Sequence, residues 1–299
     1  MATATITIPA AQAKKIPFRL KNILLATDFS EYSRQALPYV TGLARKFGSG
    51  IYLCHVVTPS ELMMGAPEAA PYLYEALRKK STAELTDVAR STELKGLNIT
   101  TVLASGMLED ELLKTINENQ IDLVVVGTQG RTGIRRLVLG SAAEKICRIA
   151  ACPVLTVGPD AVPQKNLQFG HILVPTDFSD ESTEILPHIL DIAAAYGASI
   201  TFLHVIPRDA MTNIDAHVLA EYARRTLEKV RAEDCADHQP GFLIEFGHPA
   251  ETILLAAREN KVDLIAMGIR HAFEPGTHLR SGVAYQVMVG AHCPVLTCR

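Results

Sequence analysis

The feature that most constrains the fold of this 299-residue chain is an internal repeat. The segment ILLATDFS at 23–30 returns as ILVPTDFS at 172–179, and CPVLT at 152–156 returns at 293–297. A repeat of this length indicates two copies of one domain, each with its own core. The two copies of the first segment begin 149 residues apart (23 and 172), and the two copies of CPVLT begin 141 residues apart (152 and 293). The second copy is therefore the shorter one.

The repeat divides the chain into four predicted parts. We expect a tail over 1–18, a first domain over 19–158, a linker over 159–168 and a second domain over 169–299. The linker, PDAVPQKNLQ, has two prolines and no apolar period. The tail lacks a basic region and a continuous apolar core, so it does not fit a signal peptide.

Composition and charge exclude several classes of protein. A net charge of −3 and a pI near 6.4 argue against a general nucleic-acid binder. No uncharged apolar run approaches the length of a membrane span. The six cysteines form no C-x-x-C pair, which favours reduced core residues over a redox role. We therefore expect a cytoplasmic protein with neither nucleic acid nor membrane as a partner.

Strands and helices alternate along the first copy. Apolar runs predict strands near 22–27, 50–57, 98–104, 122–127 and 153–157, and amphipathic stretches predict helices near 31–47, 72–95, 107–119 and 141–150. This alternation indicates an α/β fold with a parallel sheet covered on both faces. Ser30 is the predicted N-cap of the helix over 31–47, and Pro38 is expected to kink that helix.

The stretch VVVGTQGRTGIRRLVLGS, residues 124–141, joins a buried strand to a helix. Gly127 and Gly130 allow a sharp turn in which a ligand lies against backbone N–H groups. Ser141 and Glu144 stand at capping-box spacing, so Ser141 is the predicted N-cap of the next helix.

Two sets of N–H groups, in the glycine turn and at the helix start, are placed to face one anion. Arg131, Arg135 and Arg136 add positive charge nearby. We interpret this arrangement of N–H groups and arginines as a phosphate-binding site, a phosphate cradle. A plain glycine-rich connection with solvated arginines fits the same spacing, so the residues alone leave both alternatives open.

Asp28 follows the first strand, at the edge where parallel sheets bind ligands. Its carboxylate is suited to accept hydrogen bonds from a base or a ribose. It is equally suited to close a turn before the helix capped by Ser30, and Asp177 in the second copy keeps this alternative open. His55 and His204 end the second strand of each copy, and their equivalent places favour packing over ligand contact.

The spacing G-x2-G-x9-G-S, with ILLATDFS, LCHVV at 53–57, IDLVVVG at 121–127 and CPVLTV, resembles the universal stress protein family. The resemblance covers nearly everything after residue 20. It implies two tandem five-stranded Rossmann-like domains of the adenine nucleotide alpha hydrolase type, each with strand order 3-2-1-4-5. It also implies that ATP, with Mg²⁺, binds to Ala26, Thr27, Asp28, Val56, Val126, Gly127, Gln129, Gly130, Arg131, Gly140, Ser141 and Ala142.

The second copy departs from the family motif. His271 stands at the place of Gly130, and Ser281-Gly282 stands at the place of Gly140-Ser141. A side chain at 271 would crowd a phosphate and Glu274 would repel it, so we expect no ATP binding of the family kind there. Three histidines, His271, His278 and His292, follow no standard metal-ligand spacing and are interpreted as loop residues.

The leading hypothesis is an ATP-binding stress-response protein that acts as a nucleotide-dependent switch. The alternatives are a ligand-independent interaction scaffold and, less favoured, a slow ATP-hydrolysing enzyme or an enzyme acting on an adenylated or phosphorylated small molecule. No set of catalytic residues or metal ligands is assigned. The resemblance further implies an intramolecular pseudo-dimer paired through CPVLTV and CPVLTC, and a homodimer beyond it.

Overall fold

The computed structural model of the protein describes residues 20–59, 70–128, 139–161, 166–179, 182, 184–207, 217–218, 221–226, 228, 239–269 and 282–299. The chain divides into two compact units, one made largely of Arg19–Pro159 and the other largely of Gln168–Arg299. Within the described ranges, no helix is both long enough and apolar enough to cross a membrane.

The first unit is built on five parallel strands in the order β3-β2-β1-β4-β5. Strand β4 is buried along its whole length, as a strand covered on both faces must be. The strands are β1 (Asn22–Ala26), β2 (Gly50–Val57), β3 (Ile99–Ser105), β4 (Leu123–Gly127) and β5 (Val154–Val157). The helices are α1 (Glu31–Arg34), α2 (Leu37–Phe47), α3 (Ala70–Ala89), α4 (Leu108–Glu118) and α5 (Ser141–Ile149), with a 3₁₀ turn at Thr92–Leu94.

The second unit repeats this arrangement, with its strands in the order β8-β7-β6-β9-β10. The strands are β6 (His171–Pro175), β7 (Ser199–Ile206), β8 (Gly241–Phe246), β9 (Leu264–Gly268) and β10 (Val295–Cys298). Three of its helices are α6 (Leu186–Tyr196), α7 (Pro249–Glu259) and α8 (Val283–Gly290). The predicted α/β class with strand order 3-2-1-4-5 is confirmed in each unit.

The predicted helix over 31–47 is in fact two helices. Helix α1 ends at Arg34, and Pro38 lies in the first turn of α2, where a residue without an N–H donor costs no hydrogen bond. The expected kink at Pro38 is therefore a break just before it. The predicted cap is confirmed, because the Ser30 hydroxyl accepts a hydrogen bond from the N–H of Ser33 at 3.1 Å.

The described cysteines are all thiols, as expected for reduced core residues. Cys54 and Cys293 are buried, and burial raises the pKa of each thiol to about 12. A thiol with such a pKa stays protonated at neutral pH and is a poor nucleophile. Cys235 lies outside the described residues.

An aspartate just before the fourth strand of each unit fixes the start of the first strand. In the first unit, Asp122 Oδ2 accepts hydrogen bonds from the backbone N–H groups of Lys21 and Asn22 at 2.7 and 2.9 Å. In the second, Asp263 Oδ2 accepts them from Gly170 and His171 at 2.9 and 3.0 Å. We call this pair of hydrogen bonds the aspartate tie. Its presence in both units explains why an Asp-Leu pair occurs at 122–123 and again at 263–264.

Replacing Asp122 by alanine should destabilise the protein by about 1–3 kcal/mol, because two strand N–H groups lose their acceptor. Urea denaturation followed by circular dichroism measures this loss. Asp87→Ala is the control, since Asp87 is an exposed aspartate on α3. Equal stability of the two variants would show that the tie contributes nothing.

Candidate functional site

The candidate site lies where β1 and β4 end side by side. Ala26 is the register partner of Val126 on β4 and of Cys54 on β2. The chain builds outward from β1 in one direction through β2 and β3, and in the other through β4 and β5. The gap between β1 and β4 is therefore the switch point at which open parallel sheets accept ligands.

Three of the predicted contacts share one face of the sheet. Directly paired residues of parallel strands project to the same side, so Ala26 and Val126 share the face of Cys54, and Val56, two residues further along β2, shares it too. Thr115 on α4 lies close enough to the Cys54 thiol to influence its pKa, and α4 contacts β2, so this is the face that α4 covers. The structure thus brings three sequence-predicted apolar residues together.

The chain leaves β1 through a tight turn, residues 27–33, that links the strand to α1. Thr27 Oγ1 accepts a hydrogen bond from the N–H of Phe29 at 3.0 Å and lies 3.0 Å from the hydroxyl of Ser33. Asp28 Oδ1 accepts one from the N–H of Ser30 at 3.0 Å. Phe29 has a positive φ of 64°, which is uncommon for an aromatic residue. Asp28 therefore performs the turn-closing role that the sequence left open.

The same turn recurs at 176–182 in the second unit. Asp177 Oδ1 accepts from the N–H of Ser179 at 3.1 Å and from its hydroxyl at 2.6 Å, and Phe178 has a φ of 66°. The hydroxyls of Thr176 and Ser182 lie 2.8 Å apart. The serine pair at 30 and 33, repeated at 179 and 182, was the sequence signal for this geometry, and our sequence analysis did not use it.

His55 supports the 27–33 turn from β2. Its Nδ1 lies 2.8 Å from the carbonyl oxygen of Thr27, and its ring centroid lies 4.5 Å from that of Phe29. A carbonyl oxygen only accepts, so Nδ1 carries the proton. His204 has the same arrangement with Thr176 and Phe178, at 2.9 and 4.3 Å. The packing interpretation of both histidines is confirmed.

The packing of helix α1 requires a glycine at position 127. A Cβ atom built on Gly127 would lie 2.7 Å from the carbonyl oxygen of Tyr32 and 3.3 Å from Cα of Ser33, both in α1. The sequence predicts that this glycine leaves room for a ligand, and the backbone of α1 fills that room. The reason for the first glycine of the motif is thus corrected, whereas its place at the end of β4 is as predicted.

The N-cap of α5 is Gly140, not Ser141. Gly140 has extended backbone angles, φ −57° and ψ 142°, and Ser141 is the first helical residue. The capping-box prediction fails because Gly140 is held from outside the helix. Its N–H donates to the carbonyl of Thr128 at 2.7 Å, while the N–H of Thr128 donates to Val157 on β5 at 2.9 Å. The amide of Gly140 is therefore used by the end of β4 and is not available to an anion.

Three N–H groups of α5 precede its first intrahelical bond. That bond runs from the N–H of Glu144 to the carbonyl of Gly140, so the N–H groups of Ser141, Ala142 and Ala143 lie ahead of it. Ser141 and Ala142 are exposed, whereas Ala143 is buried. A helix start of this kind carries a partial positive charge and attracts anions.

An ion pair that the sequence analysis missed ties α5 to α4. Lys145 Nζ lies 2.7 Å from Glu109 Oε1, and the ammonium lowers the pKa of that carboxyl. The pair joins two helices that are distant in sequence, so no short-range pattern could signal it. It fixes the first turns of α5 beside α4 and engages a cation close to the candidate anion site.

The centre of the motif lies outside the described residues. This applies to Gln129, Gly130 and Arg131, to the arginine pair at 135–136, and to His271, Glu274 and His278 of the second copy. In the part of the chain that the structure describes, no group of three or more His, Cys, Asp or Glu side chains could hold a metal ion.

In the second unit, α8 also begins at a glycine. Gly282, which stands at the place of Ser141, is its N-cap with φ −74° and ψ 150°. The exchange of Gly-Ser for Ser-Gly thus moves the helix start by one residue and keeps glycine at the cap. A glycine with extended backbone angles thus precedes the helix in both units.

Comparison with known proteins gives consistent results. The family model described as the universal stress protein family matches residues 19–158 and 168–299. A universal stress protein of Methanocaldococcus jannaschii is 32% identical over 139 residues, which cover 46% of this chain and 81% of that protein. One of Synechocystis sp. is 26% identical over 312 aligned residues, covering 94% and 100%. The crystal structure of a universal stress protein from Archaeoglobus fulgidus shares the fold, with a TM-score of 0.75, 23% identity and coverage of 94% and 99%.

Gly127→Ala should destabilise the protein by about 1–3 kcal/mol, since its Cβ would press into the backbone of α1. Gly50→Ala is the control, because a Cβ there meets nothing closer than 3.5 Å, and its effect should stay within about 0.5 kcal/mol. Urea denaturation of both variants tests the difference. A Gly127→Ala protein as stable as the control would contradict the close helix packing.

Proposed function

The chain belongs to the universal stress protein family, and on that premise we propose that its first domain binds an adenine nucleotide and acts as a nucleotide-dependent switch in the stress response. The site is the edge where β1 and β4 end and α5 begins. The observation that carries the proposal is the convergence there of an apolar face and an exposed helix start. These two surfaces match the two chemically different halves of a nucleotide.

The apolar half of the site suits a base. Val56 and Val126 are buried and Ala26 is half-buried on the face covered by α4. A purine ring laid at the edge of this face would bury apolar surface, which is favourable. Thr27 and Asp28 follow directly on β1 and supply polar atoms for the base or the ribose.

The polar half of the site suits phosphates. The N–H groups of Ser141 and Ala142 face outward at the start of α5, where the helix dipole favours negative charge. The described residues therefore fit a phosphate at this point, although Gly140 contributes no amide. By family resemblance, Gln129, Gly130 and Arg131 complete the cradle.

Mg²⁺ enters the proposal with the nucleotide. Magnesium is usually held by one or two carboxylates together with substrate phosphates, and it keeps several waters. The described residues offer no cluster of potential metal ligands, so ATP would carry the ion through its own phosphate oxygens.

The second domain is proposed as a partner that does not bind ATP in the family manner, because of His271 and Glu274 in its loop. The cytoplasmic location, the pairing of the domains through their final strands and the homodimer also stay proposals. An interaction scaffold is the second candidate function. It is favoured by the 176–182 turn, which keeps its form in a copy whose phosphate motif has changed.

An ATP-hydrolysing enzyme is less well supported. Phosphoryl transfer requires metal carboxylates and a positioned base or water-orienting residue. Asp28 is the carboxylate that directly follows β1 in the proposed site, and its Oδ1 accepts a hydrogen bond from the N–H of Ser30. Slow turnover of bound ATP would be compatible with a switch, and rapid turnover would favour the enzyme.

Nucleotide content tests the proposal directly. The purified protein is denatured and any released nucleotide identified by mass spectrometry, and ATP with magnesium is titrated calorimetrically into the nucleotide-free chain. We expect one nucleotide per chain. Two per chain would overturn the assignment to the first domain alone, and no binding at millimolar ATP would leave the scaffold as the function.

Ser141→Glu should weaken ATP binding at least tenfold, about 1.4 kcal/mol, because a carboxylate at the helix start repels phosphate. The variant should remain as stable as wild type, since acidic residues favour a helix N-terminus. Val283→Glu places the same charge at the start of α8 and should leave ATP binding unchanged. Gly130→Glu tests the centre of the motif in the same titration. Unaltered affinity in Ser141→Glu would remove α5 from the site.

A further inference from the structure

We propose that His55 is a positioning residue for the nucleotide site, a role that rests on the proposed function. It holds the 27–33 turn in the conformation that presents Asp28 to the ligand. The role is distinct from nucleotide contact, because His55 acts through Thr27 and Phe29.

The place of His55 in the sheet separates it from the ligand. It neighbours Val56 on β2, and successive side chains of a strand project to opposite faces. Val56 therefore lies on the face covered by α4, while His55 lies on the face of the 27–33 turn. His55 is 5% exposed, and its ring packs on Phe29. Its contacts with Thr27 and Phe29 connect it to the ligand through the turn.

The turn needs support from outside because its backbone is strained. Phe29 has a φ of 64°, and the left-handed conformation is unfavourable for a residue other than glycine. Thr27 and Asp28 offset part of this cost by accepting N–H groups within the turn. His55 adds a hydrogen bond and a ring contact from a neighbouring strand, at the residues on either side of Asp28.

This support determines where the Asp28 carboxylate lies. Oδ1 is tied to the N–H of Ser30, so the orientation of the whole carboxylate follows the orientation of the turn. An ionised carboxylate has about four acceptor sites, more than the hydrogen bond from Ser30 occupies. A turn that relaxes at Phe29 moves this acceptor away from the end of β4. Catalytic and binding groups lose their effect when they are misplaced by about 1 Å.

The second domain supplies a matched control. His204, Phe178 and Asp177 form the same turn, with an Nδ1-to-carbonyl distance of 2.9 Å, a ring separation of 4.3 Å and a φ of 66°. The strained turn and its histidine contacts are thus closely similar in the two domains, whereas the proposed nucleotide site is in the first alone. A substitution at 204 reports the purely structural cost of losing the histidine.

Two substitutions separate the hydrogen bond from the ring. His55→Phe keeps a ring against Phe29 and removes the donor to the Thr27 carbonyl. His55→Asn keeps an N–H donor near the place of Nδ1 and removes the ring. ATP affinity should fall about tenfold in His55→Phe and be largely restored in His55→Asn. His204→Phe should lower the stability to a similar extent and leave ATP affinity unchanged.

A double-mutant cycle with Asp28→Asn shows whether His55 acts through Asp28. The amide oxygen introduced by Asp28→Asn would still accept from the N–H of Ser30, so the turn is preserved while the charge is lost. We expect that adding His55→Phe to Asp28→Asn weakens ATP binding no further. In the ligand-free protein, His55→Phe should also speed amide hydrogen exchange at Phe29 and Ser30.

The outcomes separate the two proposals. ATP binding that is unchanged in His55→Phe, or equally weakened in His204→Phe, would overturn the positioning role while the nucleotide site stands. Additive effects of His55→Phe and Asp28→Asn would also overturn it. A wild-type chain that binds no ATP would overturn the proposed function and the role of His55 together.

Discussion

The close approach of α1 to β4 is the constraint on which the nucleotide edge of the first domain depends. Because Gly127 has no side chain, the backbone of Tyr32 lies directly against the strand. Helix α1 contacts β4, whereas α2 contacts β1 and β2. The chain must therefore change direction between the two helices, and the break before Pro38 is where it does so. The 27–33 turn is thereby held above the strand ends that form the candidate site.

Comparison of the two domains separates requirements of the fold from those of a ligand. The aspartate tie, the strained turn with its histidine and the glycine N-cap occur in both, so the fold explains them without a nucleotide. One motif glycine belongs to this group, because the packing of α1 leaves no room for a Cβ atom at Gly127. A glycine in a binding signature is thus not by itself a ligand contact.

The sequence predicts the elements well and their connections less well. The five strands of the first domain lie within one residue of their expected ends, because buried apolar runs have few alternative structures. The capping-box pattern failed at Ser141 because the carbonyl of Thr128, twelve residues before Gly140, captures the Gly140 amide. The kink expected inside one helix at Pro38 is found as a break just before it, since a proline is tolerated in a first helical turn. The order of the strands came from family resemblance, as no local pattern encodes it.

These connections also limit how a nucleotide signal could leave the site. The Gly140 N–H donates a hydrogen bond to the Thr128 carbonyl, and the side chain of Leu139, next to Gly140, is buried. Both ends of the motif are therefore anchored to the core. The end of β4 and the start of α5 are thus tied directly to each other. The 27–33 turn is different, because its strained backbone is linked through His55 to β2. In the proposed switch, a ligand that hydrogen-bonds to Asp28 would first displace the 27–33 turn. This displacement would be transmitted to α1 and β2 before it reached the rest of the sheet.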